Sequence, residues 1–505
     1  MRKRRKENGV ALLISIFVLL LISVVAIAMI VASGTETSLA GNYRSSTNVY
    51  YAALAGLEEA RGRLLRNSPD YVLKADANFL PPPGTPLAIG DVRYILNPNP
   101  ALNENMGNVL TTYPDNEYAT EFGAGPTPSR PPIASVSPNN AQGIPGPPFK
   151  WVRINAVSEI SLKLADTYPF LDGRQDPTPL YYDDGRHLND TNSGRQVFEI
   201  TALAVLPNAS GQSSQKIVQY LVAPIPITLP PFLAALTLSG RPGNDPVFQP
   251  PANNNVYAVK GDGDQDCNGN PLPSKVAVGI YGDYSGGSSA TAITNIKNGI
   301  PSAAKSNYTG SGGSLPDVED LNTFQTPSQL DAIVQTIVQN ADVVLTPGSG
   351  TSPTPYTSYA PDLHAAATTA GMSSSFPVSA VVNGNLDVSD WGAGGYGYAP
   401  GYGLLLVTGT FTYDPDTNWN GIVLVIGQGI VGNTQHGGSN VINGAMFVAK
   451  TRDPSGNLLS PKLGGALVSF DATMQGNGIR YNSCWIQKSQ PTSSYQILSF
   501  HEISQ

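Results

Sequence analysis

Residues 9–32 read GVALLISIFVLLLISVVAIAMIVA and decide the fold. Only Ser15 and Ser23 interrupt the apolar run that begins at Val10, and the run carries no charge. At about 1.5 Å of rise per residue, a helix of this length crosses a hydrocarbon core of about 30 Å. We therefore predict a membrane-spanning helix over residues 10–32. Its expected anchoring side chains are Val10, Leu13, Phe17, Leu20, Val24, Ile27 and Val31.

A basic cluster precedes the apolar run. It consists of Arg2, Lys3, Arg4, Arg5 and Lys6. Because basic flanks stay on the cytoplasmic side, we expect a single-pass inner-membrane protein with a cytoplasmic N-terminus and a periplasmic remainder. A secretory signal peptide is the alternative. Its apolar part usually covers only about 7–15 residues, and Ala32-Ser33-Gly34 is a poor cleavage site.

The helical pattern continues beyond the membrane segment. Apolar residues recur at spacings of three and four, with Ser46 in the one gap, at Leu39, Tyr43, Tyr50, Ala53, Leu57, Ala60 and Leu64. Ser68-Pro69 ends the pattern, because proline disfavours helix in the residue before it. We predict one helix over 10–66, whose first half lies in lipid and whose second half packs on a folded head.

Three segments of the N-terminal region form a pattern together: Gly9-Val10-Ala11-Leu12-Leu13, then SLAGNYR over 38–44, then YAALAGLEEA over 51–60. On these segments the chain resembles the N-terminal domain of the PilX class of type IV minor pilins. The resemblance implies a prepilin leader over 1–9 and cleavage by prepilin peptidase between Gly9 and Val10. It also implies partners among other pilins and minor pilins, which would bind through the N-terminal helix.

One position departs from the family pattern. Major pilins carry a glutamate at the fifth mature position, where it is thought to pair with the N-terminus of a neighbouring subunit. Here that position is Ile14. The departure favours a rare subunit at a special position in the filament over a bulk subunit.

The charge balance excludes one class of function. Beyond residues 1–9 the chain has 24 Lys and Arg against 36 Asp and Glu, and no basic stripe follows the leader. We therefore expect no binding to nucleic acid.

Four segments after residue 88 are typical of strands: 89–97, 149–160, 196–206 and 216–222. In the second, Trp151, Arg153 and Asn155 alternate with apolar residues, which predicts a half-buried strand. Residues 98–148 resemble loops. A long helix followed by four strands predicts an antiparallel sheet that covers the outward half of the helix, so we assign 67–225 to a pilin-like β head.

Residues 226–505 are expected to form a β-rich C-terminal domain. One helix is predicted near 327–343, because Thr326 can cap it, Pro327 can begin it and Gln329 completes a capping box. Apolar runs recur over 380–388, 404–412 and 422–430, with degenerate copies at 443–448 and 476–479, and Gly384, Gly409 and Gly427 are spaced by 25 and 18 residues. The overall class is α+β, and the repeat predicts a short β-solenoid, with a β-sandwich as the alternative.

Two local features carry candidate site residues. Cys267 and Cys484 lie beyond the membrane segment, where an oxidising compartment favours a disulfide. Asp262, Asp264, Asp266 and Asn268 place oxygen side chains at alternate positions, as calcium loops do, although no glutamate stands at position twelve. An acidic turn beside a disulfide is the alternative, and we expect no other cofactor.

We expect a structural protein and not an enzyme. The histidines His187, His364, His436 and His501 are scattered, and the aspartates Asp387, Asp390, Asp414 and Asp416 follow strands, where Asp commonly caps turns. The expected function is a minor pilin at or near the tip of a type IV pilus, which primes assembly or adheres to a surface partner. The alternatives are a pseudopilin of type II secretion and a membrane-anchored carbohydrate-binding or carbohydrate-active β-helix protein.

Overall fold

The structure of the chain is a computed structural model. It describes residues 8–503 apart from 66–67, 69, 82–84, 123–128, 136–145, 163–170, 172–176, 184–186, 192–194, 208–212, 254–255, 347–356, 375, 389–399, 414–417, 434–440, 473 and 475–477.

One helix forms the N-terminal part of the molecule. Helix α1 runs from Asn8 to Arg63, so a long N-terminal apolar helix is present as predicted. It ends three residues before the predicted limit. The turns that end it are closed by the hydrogen bonds from Leu65 N to Gly62 O and from Ser68 N to Leu65 O.

The head follows α1 along the chain. Its elements are α2 (Val72–Ala75), β1 (Val92–Leu96), a 3-10 helix (Pro100–Leu102), α3 (Val109–Thr112), α4 (Asn116–Phe122), β2 (Ile133–Ala134), β3 (Phe149–Ala156), α5 (Glu159–Leu162), β4 (Tyr181–Tyr182), β5 (Leu188–Asn189), β6 (Arg195–Gln196), β7 (Phe198–Pro207) and β8 (Ser213–Pro226). The four predicted strands correspond to β1, β3, β7 and β8. Adjacent members of this set pair in antiparallel order.

Strands β1, β3 and β7 of the head sheet are buried on both faces. One face packs against α1, where Ala53, Leu57 and Ala60 lie against β3, β7 and β8. The other face is covered by the segment that contains α3 and α4, with Trp151 packed near Val109 and Tyr118. The prediction that β3 is half-buried is therefore wrong, since all eight of its residues are buried. The segment that covers the second face had been predicted as loop.

The C-terminal region is rich in strands and contains four helices among its described residues. Its elements are β9 (Ala234–Ser239), β10 (Val247–Gln249), β11 (Ala258–Lys260), β12 (Val276–Tyr281), α6 (Ala290–Gly299), a 3-10 helix (Ser302–Asn307), β13 (Tyr308–Thr309), β14 (Val318–Asp320), α7 (Pro327–Asn340), β15 (Val343–Leu345), β16 (Thr357–Tyr359), α8 (Ala360–Thr369), β17 (Val378–Val382), β18 (Asn385–Asp387), β19 (Gly401–Val407), β20 (Thr410–Tyr413), β21 (Trp419–Gly427), β22 (Ile430–Asn433), β23 (Val441–Lys450), β24 (Leu467–Ser469), β25 (Gly478–Tyr481), α9 (Ser483–Ser489) and β26 (Thr492–Ile503).

Two sheets of parallel strands organise this region. The larger contains β25, β23, β21, β19, β17 and β15 as neighbours, and the smaller has the order β10-β24-β22-β20-β18-β16. From β15 to β24, consecutive strands of the chain therefore belong alternately to the larger and to the smaller sheet. The early strands β9 and β10 extend this stack, because β9 pairs with β23 and β10 pairs with β24.

The strand register matches the spacing of the sequence repeat. Val382 pairs with Val407, and Val407 pairs with Val425, so the offsets are the 25 and 18 residues that separate the three repeat glycines. Between the two sheets lies a core that includes Val407, Val425 and Phe411. The outer face of the larger sheet carries Leu406 and Leu424, which pack with helix α7.

Helix α7 begins as its sequence predicts. Thr326 accepts a hydrogen bond from the backbone of Gln329, and the Gln329 side chain accepts one from the backbone of Thr326, which completes the capping box. Leu330, Val334 and Ile337 are its buried apolar residues. The helix ends at Asn340, three residues before the predicted limit.

The last strand belongs to the head and not to the C-terminal region. Strand β26 pairs in antiparallel order with β8, which makes the head sheet six-stranded in the order β2-β1-β3-β7-β8-β26. The sequence had placed everything after residue 225 in one C-terminal domain. Residues 492–503 instead pair with β8 of the head sheet.

Gly421 on β21 pairs with Gly403 on β19 and with Gly444 on β23, so three strands of the larger sheet approach closely at these glycines. This close approach generates a prediction. A Cβ on Gly421, whose φ is +140°, would lie 2.1 Å from Gly403 O and 2.4 Å from Ser489 Oγ. We predict that Gly421→Ala lowers the free energy of unfolding by about 2–4 kcal/mol, from backbone strain and overpacking. Urea unfolding followed by circular dichroism measures this loss.

The matched control is Gly432→Ala in the smaller sheet. The nearest atom to a Cβ there is Ser469 O, at 4.0 Å, so we expect a change within about 0.5 kcal/mol. Equal effects of the two substitutions would contradict the close approach of the strands at Gly421.

Candidate assembly interface

The exposed part of α1 is the largest unpartnered apolar surface among the described residues. Every residue from 10 to 44 is exposed, which corresponds to about 50 Å of helix. The helix is long and apolar enough to cross a membrane. All seven predicted anchoring residues lie on this exposed part: Val10, Leu13, Phe17, Leu20, Val24, Ile27 and Val31.

The exposed surface extends beyond the apolar run. Leu39 is 74 % exposed and Tyr43 is 76 % exposed, although the sequence seam had placed both on the face that packs on the head. Packing on the head begins near Val49, which is buried. The exposed part of α1 therefore includes the segment that links the apolar run to the head.

The polar groups of the exposed helix are satisfied within the helix itself. Ser15 Oγ donates to Ala11 O at 2.9 Å, and Ser23 Oγ donates to Leu19 O at 2.8 Å. Between residues 8 and 44 only Glu36 and Arg44 carry charge, and both lie beyond the apolar run. The run is therefore compatible with lipid or with a bundle of apolar helices.

The inner half of α1 is fixed firmly to the head. Gly56 permits a close approach, since a Cβ there would lie 2.9 Å from Phe149 Cγ and 3.3 Å from Ala202 Cβ. Arg61 Nη1 donates to Tyr495 O at 2.9 Å, so α1 is also bound to the final strand. A force or torque on the exposed helix would be transmitted to the sheet through these contacts.

The candidate processing site lies at the start of α1. Gly9 follows the first described residue of the helix, Asn8, and Val10 is 66 % exposed. Ile14 is exposed among other apolar residues one turn later. The basic cluster at residues 2–6 lies outside the described residues, so cleavage after Gly9 stays a prediction.

Cys267 and Cys484 form a disulfide bond in the structure. Their Cα atoms lie 4.7 Å apart, and the bond closes a span of 217 residues. Cys484 lies in α9, which packs on β19, β21 and β23, whereas Cys267 lies in the acidic loop. The bond therefore fixes this loop to a helix on the larger sheet.

Three of the four predicted calcium ligands, Asp262, Asp264 and Asp266, bind different partners. Asp262 Oδ1 accepts from Thr309 Oγ1 at 2.8 Å, and Asp264 Oδ2 accepts from Ser483 Oγ at 2.6 Å. Asp266 Oδ1 accepts from the backbone of Asn268 and of Asn270 at 2.9 and 2.8 Å. The Asn270 side chain also donates to Asp266, and this bond, followed by the backbone bonds, holds the pKa of Asp266 below its usual value. Among the described residues no group of three or more His, Cys, Asp or Glu side chains is arranged so that it could hold a metal ion, and calcium binding at this loop stays untested.

The turn at Asp266 occurs a second time in the chain. Asp453 Oδ1 accepts from the backbone of Ser455 and Asn457, both at 2.9 Å, and its pKa is lowered chiefly by the Asn457 side chain. The second turn contains no cysteine, and Pro454 occupies the place of Cys267. Both turns are therefore closed by hydrogen bonds from the backbone to one aspartate carboxylate.

Several predicted features lie outside the described residues. They are Asp390, Asp414, Asp416 and His436. A buried charged cluster around Arg153 was missed at the sequence level. The alternation in β3 had placed Arg153 on a solvent face, and no local signal shows that a distant segment covers it.

Comparison with known proteins gives no match: no protein-family model, no curated protein and no solved structure matches the chain.

The disulfide generates the second prediction. We expect the double variant Cys267→Ala/Cys484→Ala to lose about 2–5 kcal/mol of stability, because the cross-link restricts the unfolded chain. The measurement is the urea midpoint followed by Trp fluorescence, with Trp485 next to Cys484 as a local reporter.

Pro454→Ala is the control, since it changes the equivalent position of the second turn, which has no cross-link. We expect its urea midpoint to stay near that of the unaltered chain. A double cysteine variant that also unfolds at the unaltered midpoint would show that the disulfide contributes no stability.

Proposed function

We propose that the chain is a PilX-like minor pilin, a rare structural subunit at or near the tip of a type IV pilus. The observation that carries the proposal is the division of α1. Its exposed half is continuously apolar up to Ala32, and its inner half packs on an antiparallel sheet. A subunit that leaves the membrane to join a helical bundle requires both halves in one helix.

The position of Ile14 supports a special place in the filament. A glutamate there would satisfy the N-terminus of a neighbour in a bulk subunit, whereas Ile14 offers only apolar packing. The subunit would then associate through van der Waals contacts between helices, which is how apolar helices associate in lipid. Such a subunit caps or primes a bundle and does not repeat along it.

The C-terminal region would form the outward part of this subunit. We infer that β9, β10 and β15–β24 build a short β-solenoid, which the alternation of strands between two parallel sheets supports. The β-sandwich alternative is built from antiparallel strands, whereas every pair within these two sheets is parallel. A stiff, acidic body of this kind suits a cap or a surface contact.

The third prediction tests the processing step. In cells with prepilin peptidase, the mature protein is expected to begin at Val10, with or without an added methyl group. In cells without the peptidase it is expected to keep residues 1–9. Intact mass spectrometry of the purified chain measures both. The variant Gly9→Val should keep the leader even when the peptidase is present.

Gly34→Val is the matched control. Gly34 lies in the same helix, and nothing is within 4 Å of its Cβ position, so this variant should be processed normally. Recovery of the mature chain in sheared surface filaments supports the pilus subunit, and retention in the cell envelope favours the pseudopilin alternative. An uncleaved chain in the presence of the peptidase would overturn the proposal and leave a membrane-anchored module.

A further inference from the structure

A buried cluster of charges lies between β3, β7 and helix α4. Arg153 is fully buried, and its guanidinium contacts the carboxylates of Asp115, Glu121 and Glu199. Arg153 Nη2 donates to Glu121 Oε2 at 2.8 Å and to Glu199 Oε1 at 3.1 Å. One nitrogen thus links a residue of the sheet to a residue of the covering helix.

The charges of this cluster do not balance. Three carboxylates against one guanidinium leave a net charge of minus two if all of them are ionised, within a site that is almost closed to water. Burial of uncompensated charge is unfavourable, so a carboxyl group in such a site takes up a proton. At least one of the three carboxyl groups is therefore expected to be neutral.

The hydrogen bonds indicate which carboxyl group holds the proton. Asp115 accepts from Tyr94 Oη at 2.8 Å, from the Tyr118 backbone and from Arg153. Glu199 accepts from Asn155 Nδ2 at 3.2 Å as well as from Arg153. Glu121 accepts a bond from Arg153, and its side chain also forms a hydrogen bond with the Glu199 carboxyl group, which requires a proton between the two. The ionised form of Glu121 is therefore the least stabilised of the three.

The electrostatic environment agrees with this assignment. Burial, followed by the neighbouring Glu199 carboxylate, raises the pKa of Glu121 to about 8 against the opposing effect of Arg153. Glu117, on the same helix, adds to the repulsion. The charged and titratable groups around the site are then Arg153 on β3, Glu199 on β7, Tyr94 on β1, and Asp115, Glu117 and Tyr118 from the covering segment.

We propose that a proton held between Glu121 and Glu199 fastens helix α4 to the outer face of the head sheet, and that loss of this proton releases α4. Two further contacts hold the helix, namely the Tyr118 ring under Arg153 at 5.3 Å and the Tyr118 hydroxyl bonded to Gly90 O at 2.8 Å. Release of α4 would uncover Trp151 and Leu203, which form an apolar surface with Tyr118. The head would therefore carry a pH-sensitive lid that is independent of the pilus assignment.

The direction of the pH effect follows from the raised pKa. Between the pKa of the free glutamate side chain and about 8, the folded chain binds one more proton at Glu121 than the unfolded chain. The contribution of this proton to stability is therefore present at low pH, declines as the pH rises, and is lost above about pH 8. The lid is expected to be closed in neutral or acidic solution and open in alkaline solution.

Hydrogen–deuterium exchange of the full chain in detergent tests the proposal. After correction for the intrinsic pH dependence of exchange, we expect the protection of residues 116–122 to fall about tenfold between about pH 6.5 and about pH 9.5. Glu121→Gln imitates the protonated side chain and should keep the protection at both pH values. Glu199→Gln removes the repelling carboxylate and should do the same, which keeps the test valid if one variant fails to fold.

Glu117→Gln is the matched control on the same helix, because Glu117 is not bonded to Arg153. It should keep most of the pH dependence. Equal protection of the unaltered chain at both pH values would overturn the proposal. So would a loss of protection in Glu121→Gln that parallels the loss in the unaltered chain.

Discussion

The pairing of β26 with β8 is the constraint on which the rest of the structure depends. Thr492 pairs with Pro226, and Ile227 N donates to Pro491 O at 2.9 Å, so the chain leaves the head and returns to it at one place. The C-terminal region is therefore an insertion between two strands of a single sheet. The head cannot be completed until this insertion has folded or at least closed, and such long-range closure slows folding.

The head sheet imposes a second constraint, because its strands β1, β3 and β7 are buried on both faces. Helix α1 covers one face, and the segment with α3 and α4 covers the other. Polar residues on the second face then need partners inside the protein. Lys150 Nζ donates to Glu104 Oε1 at 2.7 Å. Burial raises the pKa of Glu104, but the hydrogen bonds from the Lys150 side chain, the Asn99 backbone and the Tyr113 hydroxyl outweigh it, so this pKa lies below its usual value. Arg153 meets an excess of carboxylates instead, and this imbalance makes its site sensitive to pH.

Much of the fold could be predicted from local patterns, and the failures have physical causes. The apolar run predicted α1, and the capping residues predicted the start of α7. The spacing of the sequence repeat matches the register of the paired strands. Strand β26 was missed because its register shifts after Thr492 and after Ile497, which breaks the alternation that marks a strand. The burial of Arg153 and the exposure of Tyr43 were missed because both depend on where distant segments lie, and the sequence near each residue does not contain that information.

The exposed part of α1 presents a long apolar surface to solvent. Burial of one large apolar side chain contributes about 1.5–3 kcal/mol, so the apolar residues from Val10 to Ala32 together represent tens of kcal/mol of unsatisfied surface. Lipid and a bundle of similar helices satisfy this surface equally well, because Ser15 and Ser23 bond within the helix. The free energy of transfer of the helix from lipid into such a bundle would therefore be close to zero. Ile14 carries no charge that would fix the helix at one depth. The position of the subunit would be decided by its head, whose sheet is rigidly joined to α1 through Gly56 and Arg61.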